Sequence, residues 1–149
     1  MREILFRGKR FDNGEWVFGC YYKQTQFYGD EMEEHIIITS NEDLSYDQAL
    51  QFGSVESKTV GQFTGLTDKN GKKIFEGDIV RVCLDPEICV GDVIWDSDIA
   101  SYNIPFNNGK CVLPLDIFVA KNKVGDKVWI EVIGNIHDNP ELLGGAEDG

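Results

Sequence analysis

Short runs of β-branched and aromatic residues, each cut off by glycine, aspartate or asparagine, constrain this 149-residue chain more than any other feature. Trp16-Val17-Phe18-Gly19-Cys20-Tyr21-Tyr22, His35-Ile36-Ile37-Ile38-Thr39 and Ile79-Val80-Arg81-Val82-Cys83 are examples. Such runs suit a pleated, half-buried surface, and the residues between them suit turns. Sixteen glycines against four prolines, with 11% aromatic residues, fit a turn-rich β protein rather than a helical bundle. With 42% hydrophobic residues the chain is too apolar for disorder and long enough for one ordinary domain or two small ones.

Read in order, alternation at Ile4 and Phe6 predicts a first strand. Asp12-Asn13-Gly14-Glu15 predicts a type I′ hairpin, with residues 16–22 as the returning strand. Residues 24–35 read as an exposed acidic loop, and Asp30, Glu31, Glu33 and Glu34 form a candidate interaction surface. A calcium loop is disfavoured because Gly29 precedes these acids instead of dividing them. Residues 41–52 predict a short amphipathic helix, capped at Asn41 or Ser45 and ended by Gly53. Further strands are expected over 57–64, 79–83, 90–96, 102–106, 111–119 and 127–133. A last helical turn would use Asn139 as N-cap, Pro140 as first residue and Gly144 as stop. The fold class expected is mainly β: a small β-rich N-terminal part with a short helix (1–58), packed on a C-terminal SH3-like β-barrel (59–144), then a frayed tail (145–149). No flexible linker separates the parts, so one compact unit is expected.

The formal charge is −12, from 14 basic and 26 acidic residues. It is spread along the chain: 6 basic and 11 acidic residues up to position 60 give −5, and 8 and 15 beyond it give −7. A field of that sign opposes contact with phosphate backbones, and the richest basic cluster is only Arg7, Lys9 and Arg10. No apolar run approaches the length of a membrane span, and the opening Met1-Arg2-Glu3-Ile4-Leu5-Phe6-Arg7 has no signal-like core, so a cytoplasmic protein is expected. Of the four cysteines, Cys83 and Cys89 are the nearest pair, with five residues between them, which is wider than a metal knuckle. Cys20 and Cys111 sit in apolar stretches, so buried or half-buried reduced thiols are expected.

Catalytic chemistry finds little support. His35 opens an apolar strand and reads as a strand-edge residue, and His137 reads as a local hydrogen-bonding group beside a cap. No glycine-rich phosphate cradle is present, and 26 acids make any chosen carboxylate pair uninformative. Tyr21, Tyr22, Trp95 and Tyr102 are candidates for base stacking, with core filling as the default. No catalytic residue, metal or cofactor is assigned. The most distinctive stretch, residues 64–81, places Gly77-Asp78 before a Val/Ile strand, a pattern of SH3-like barrels. Asp68, Glu76 and Asp78 there read as turn formers whose carboxylates accept amide protons.

Three spaced stretches carry a resemblance to a known family. They are Met1-Arg2-Glu3-Ile4-Leu5-Phe6-Arg7-Gly8-Lys9; Thr59-Val60-Gly61-Gln62-Phe63-Thr64-Gly65-Leu66-Thr67-Asp68-Lys69-Asn70-Gly71 with Ile74-Phe75-Glu76-Gly77-Asp78-Ile79-Val80; and Val132-Ile133-Gly134-Asn135-Ile136-His137-Asp138-Asn139-Pro140-Glu141-Leu142-Leu143. In order and over nearly the whole chain, they resemble the YopX family of phage and prophage proteins. Phe75 and His137 stand where the family usually has tyrosine. The resemblance implies a β-rich fold with a barrel-like C-terminal half, a home in a mobile genetic element, and no established enzymatic activity. It marks Gly65, Asp68, Gly71, Glu76, Gly77, Asp78, Gly134, Asn135 and Pro140 as fold-signature positions.

The resulting expectation is a non-enzymatic accessory protein that binds a protein partner and is able to self-associate. A nucleic-acid-binding SH3-like module and an acidic DNA mimic are the alternatives.

Overall fold

Strand propensity and turn chemistry together lay out eleven strands among the described residues. The computed structural model describes residues 3–28, 30–39, 45, 48–49, 53–106, 109–118 and 127–144, with side chains for all of these except 26–28 and 30–31. The chain divides into two compact units, Met1–Phe63 and Thr64–Gly149.

In the first unit, β1 (Phe6–Lys9) pairs antiparallel with β2 (Trp16–Tyr28), which pairs with β3 (Asp30–Ile38). The start of β4 (Gly61–Thr67) lies on the other side of β1 through Phe6↔Gln62 and Arg7↔Gly61. The β1–β2 connection is wider than the expected type I′ turn. Arg10 N–H bonds the Glu15 carbonyl at 2.8 Å, and Gly14 N–H bonds the Arg10 carbonyl at 3.0 Å. Gly14 has φ +70° whereas Asn13 does not enter the left-handed region. Asn13 instead uses its side-chain oxygen to accept the Glu15 N–H at 2.9 Å, which favours the wider loop over a two-residue turn.

The expected acidic loop over 24–35 is not a loop. Its residues continue β2 and β3 into a long ribbon paired out to Tyr28↔Asp30. Thr25, Phe27 and Tyr28 favour strand, and the β2–β3 ladder pairs the inward-facing backbone groups that a loop would leave to water. Gly19 allows the ribbon to close: a Cβ there would sit 1.9 Å from the Ile38 carbonyl oxygen. Residues 54–56 then bridge the ends of β1 and β3, with Val55 N–H on the His35 carbonyl and Glu56 N–H on the Lys9 carbonyl, both at 2.9 Å. Ile36, Ile37, Val55 and Phe63 are buried in this unit.

Of the expected helix over 41–52, only Ser45, Gln48 and Ala49 are described. Gln48 N–H bonds Ser45 Oγ at 3.3 Å, and Gln48 Oε1 accepts the Ser45 N–H at 3.0 Å, a reciprocal capping pair. Asn41 and the rest of that stretch lie outside the described residues, as does the tail 145–149.

In the second unit, the end of β4 pairs with β5 (Lys73–Phe75). One three-stranded sheet has the order β11-β6-β7, from Val128–Asn135, Asp78–Leu84 and Glu87–Asp92. The other has the order β10-β9-β8, from Cys111–Pro114, Ser101–Phe106 and Ile94–Asp96. A 3₁₀ turn over Leu115–Phe118 and a helical turn over Glu141–Gly144 complete it. Among the described residues these are open sheets, and no pairing closes them into a barrel. Their shared core is Ile74, Val80, Val82, Val93, Ile104, Phe106, Leu115, Phe118 and Ile130. Val80 and Val82 of β6 enter this core, and on its other face Ile79 and Cys83 are buried as well, leaving Arg81 as the exposed position of the strand.

Cys20 and Cys111 depart from expectation: both are exposed, Cys83 is buried and Cys89 is half-buried, and all four are free thiols. Cys20 stands on the outward face of β2, and Cys111 begins the edge strand β10, so their apolar neighbours do not cover them. No helix among the described residues is long and apolar enough to cross a membrane.

Candidate functional site

The β2–β3 register sorts side chains onto two faces with opposite chemistry. Tyr21↔Ile37, Lys23↔His35 and Thr25↔Glu33 share one face. There Tyr21 Oη lies 2.6 Å from His35 Nδ1, and the two rings stack at 6.0 Å with a 6° angle. His35 Nε2 lies 3.6 Å from Glu33 Oε2, and Glu33 Oε1 lies 3.1 Å from Lys23 Nζ. The two ring nitrogens of His35 thus face different partners, Nδ1 the tyrosine hydroxyl and Nε2 the carboxylate. The Phe6 ring packs 5.6 Å from that of Tyr21.

Burial pushes the Tyr21 hydroxyl above its ordinary value, Glu33 adds to the effect, and Lys23 opposes it. The hydrogen bond from Lys23 holds the Glu33 carboxyl below its ordinary range. Tyr21 therefore keeps its proton at neutral pH, and its hydrogen bond to Nδ1 fixes the orientation of the imidazole. Sequence reading placed His35 at a strand edge and missed this array. Its members are separated by up to fourteen residues and joined only by strand register. The one usable signal was the β propensity of Thr25, Phe27 and Tyr28, which extends the strands far enough to bring Lys23, Glu33 and His35 together.

The four acids of the candidate surface do not share a face. Glu33 belongs to the polar array, whereas Glu34 is in register with Gln24 on the opposite face. Asp30 and Glu31 are in register with Tyr28 and Phe27 at the outer end of the ribbon. On that opposite face Phe18, Tyr22, Met32 and Ile38 are 45%, 52%, 57% and 37% exposed and Cys20 is exposed too, whereas Ile36, opposite Tyr22, is buried and Arg7 stands opposite Phe18.

The fold-signature residues are in the second unit, and their polar atoms turn inward onto backbone. Asp68 Oδ1 accepts the N–H groups of Asn70 (2.8 Å) and Lys72 (2.9 Å), while Oδ2 accepts that of Val132 at 3.0 Å. Asp78 Oδ2 accepts the Phe75 N–H at 2.8 Å, across the turn that holds half-buried Glu76 and Gly77. Gly77 has φ +84°, a conformation that a Cβ strains; Gly65 and Gly71 share it. Asn135 Oδ1 accepts the His137 and Asp138 N–H groups at 3.0 and 2.9 Å. Asn139 does not use its side chain as the expected N-cap. Its Oδ1 reaches back to the Asn135 N–H at 3.3 Å, close over Gly134, where a Cβ would meet it at 2.6 Å. The Pro140 carbonyl accepts the Leu143 N–H at 3.2 Å.

Of the stacking candidates, Tyr21 is committed to His35, and Trp95 meets Tyr102 edge-on at 4.9 Å. A cationic platform lies elsewhere: Lys69 Nζ stands 4.3 Å and Arg81 Cζ 5.7 Å from the Trp129 ring. Glu131 bonds Arg81 at 2.6 Å and lies 3.7 Å from Lys69, and the Arg81 hydrogen bond holds its carboxyl below the ordinary range.

No curated protein sequence matches the chain. The solved structure of protein EF1440 from Enterococcus faecalis is similar in fold, with a TM-score of 0.54 and 23% identity over 96% of this chain and 99% of that one. The sequence profile described as YopX protein matches residues 5–144, including every signature turn built above. The chain belongs to the YopX family.

Proposed function

We propose that this chain is a phage- or prophage-type accessory protein that acts by binding another protein and performs no chemistry of its own. The observation that carries this reading is the apolar face of the β2–β3 ribbon, where Phe18, Tyr22, Met32 and Ile38 stand in water on one strand pair. Exposed apolar side chains on one strand pair, here set around the buried Ile36, support a protein-docking surface. The finer reading of Thr64–Gly149 is an SH3-like scaffold, supported by short strands around one apolar core and by the Gly77-Asp78 turn before β6. A nucleic-acid reading has Trp129 with Lys69 and Arg81 as its best support, but Glu131 already engages both cations and the net charge of −12 opposes phosphate.

The test is affinity capture from a host lysate at micromolar bait, using the wild-type chain beside Tyr22→Ser/Met32→Ser. Both positions are exposed, so the double variant keeps its fold. A partner enriched by the wild type and lost by the variant supports the reading. Absence of any enriched partner, or one retained equally by the variant, overturns it. A gel shift at low and moderate salt tests the nucleic-acid alternative, which requires binding that weakens steeply as salt rises.

A further inference from the structure

Three Asn-Gly pairs stand in this sequence, at Asn13-Gly14, Asn70-Gly71 and Asn108-Gly109, and Asn108 lies outside the described residues. In such a pair the glycine nitrogen has no neighbouring Cβ to hinder it and can attack the asparagine Cγ, closing a five-membered ring. The two described pairs share the feature that opposes this. Gly14 N–H donates to the Arg10 carbonyl and Gly71 N–H to the Asp68 carbonyl, both at 3.0 Å. Each turn must therefore open locally before its nitrogen reacts, and what the opening breaks sets the rate.

The turns differ in that cost and in how the amide is prepared. Asp68, only 6% exposed, accepts the Asn70 and Lys72 N–H groups at 2.8 and 2.9 Å, so freeing Gly71 pulls donors off a buried carboxylate. Residues 11–15 are all exposed, and freeing Gly14 breaks a bond that water replaces. Asn13 Oδ1 meanwhile accepts the Glu15 N–H at 2.9 Å, a donor placed where negative charge grows as Cγ is attacked.

We propose that Asn13 is a self-modification site, converting to aspartate and isoaspartate, and that Asp68 shields Asn70 from the same reaction. The bond from Gly14 N to Asn13 Cγ forms, the Cγ–Nδ2 bond breaks, and the Gly14 proton leaves with Nδ2 as ammonia. Water then opens the cyclic imide at one carbonyl to give aspartate or at the other to give isoaspartate. The new carboxylate lies next to Asp12 in the chain and competes with it for Arg10, which Asp12 holds at 2.7 Å. This site is independent of the protein-binding reading.

The test incubates the folded chain, and the chain in guanidinium chloride, at mildly alkaline pH and follows amide-to-acid conversion at each asparagine by peptide mapping. In the folded chain Asn13 should convert about threefold faster than Asn70 or more, and under denaturation the two rates should converge. Asp68→Ala should raise Asn70 conversion by about tenfold and leave Asn13 unchanged. Asn13→Gln, which forbids the five-membered ring, should remove most of the acidic species that the wild type accumulates on ion exchange. Asn70 converting as fast as Asn13 in the folded chain overturns the proposal, as does a folded chain whose Asn13 stays an amide while the denatured chain converts. Unchanged Asn70 conversion in a folded Asp68→Ala chain overturns the shielding role. The wild-type comparison decides the matter even where Asp68→Ala fails to fold.

Discussion

The two units use their polar side chains in opposite ways. In Thr64–Gly149, Asp68, Asp78 and Asn135 turn inward and accept backbone N–H groups, so they fix where strands begin and turns end. In Met1–Phe63, Tyr21, Lys23, Glu33 and His35 bond chiefly to each other across a ribbon, along one sheet face. A buried acceptor of backbone amides is expensive to lose because its donors are stranded, whereas a half-exposed side-chain pair is replaced by water at little cost. The signature turns of the second unit are thus held through backbone amides, whereas the polar array of the first unit lies side chain to side chain along one sheet face.

That contrast is breakable, and the largest effect should come from Asp68→Ala. It strands the N–H groups of Asn70, Lys72 and Val132 and should cost about 3 kcal/mol by urea unfolding. Asp68→Asn should recover only part of this, since its amide group cannot accept from both sides. A cost below about 1 kcal/mol would erase the distinction between the units. Next, Gly77→Ala forces a Cβ onto a φ of +84° and should cost about 1–2 kcal/mol, although the space around it is open enough for the methyl group. Tyr21→Phe, which removes the 2.6 Å bond to His35, should cost no more than about 1 kcal/mol.

The smallest effect depends on pH. Lys23 lowers the folded-state value of Glu33 below 4.5, so its stabilising contribution is present above 4.5 and lost as pH falls through the lowered value. The melting temperature of Glu33→Gln should therefore lie slightly below that of the wild type at neutral pH, with the gap closing as pH drops under 4.5. A gap that widens on acidification would reverse the assigned sign.

Turn chemistry was the legible part of the sequence. Asp68, Asn70-Gly71 and Gly77-Asp78 announce local hydrogen bonds within a few residues, and those bonds are present. Strand existence was legible as well, because alternation and β-branched content act over short windows. The length of the ribbon was not: Asp30, Glu31, Glu33 and Glu34 outweighed the β propensity of their neighbours until pairing with β2 gave the backbone its partners. The His35 array was hidden for the same reason, since register is a property of two strands rather than one. Cys20 and Cys111 failed in the other direction, because an apolar neighbourhood in sequence does not say which face of a strand is covered.

Asp68 joins contacts of very different sequence separation. One of its oxygens closes a turn with residues two and four positions away, while the other reaches across sixty-four residues to Val132. The local contact has a short loop to close and can form as soon as the turn does; the distant one must wait for β11 to arrive. Replacing this carboxylate removes a short-range and a long-range contact together, so it should both slow folding and hasten unfolding in stopped-flow measurements.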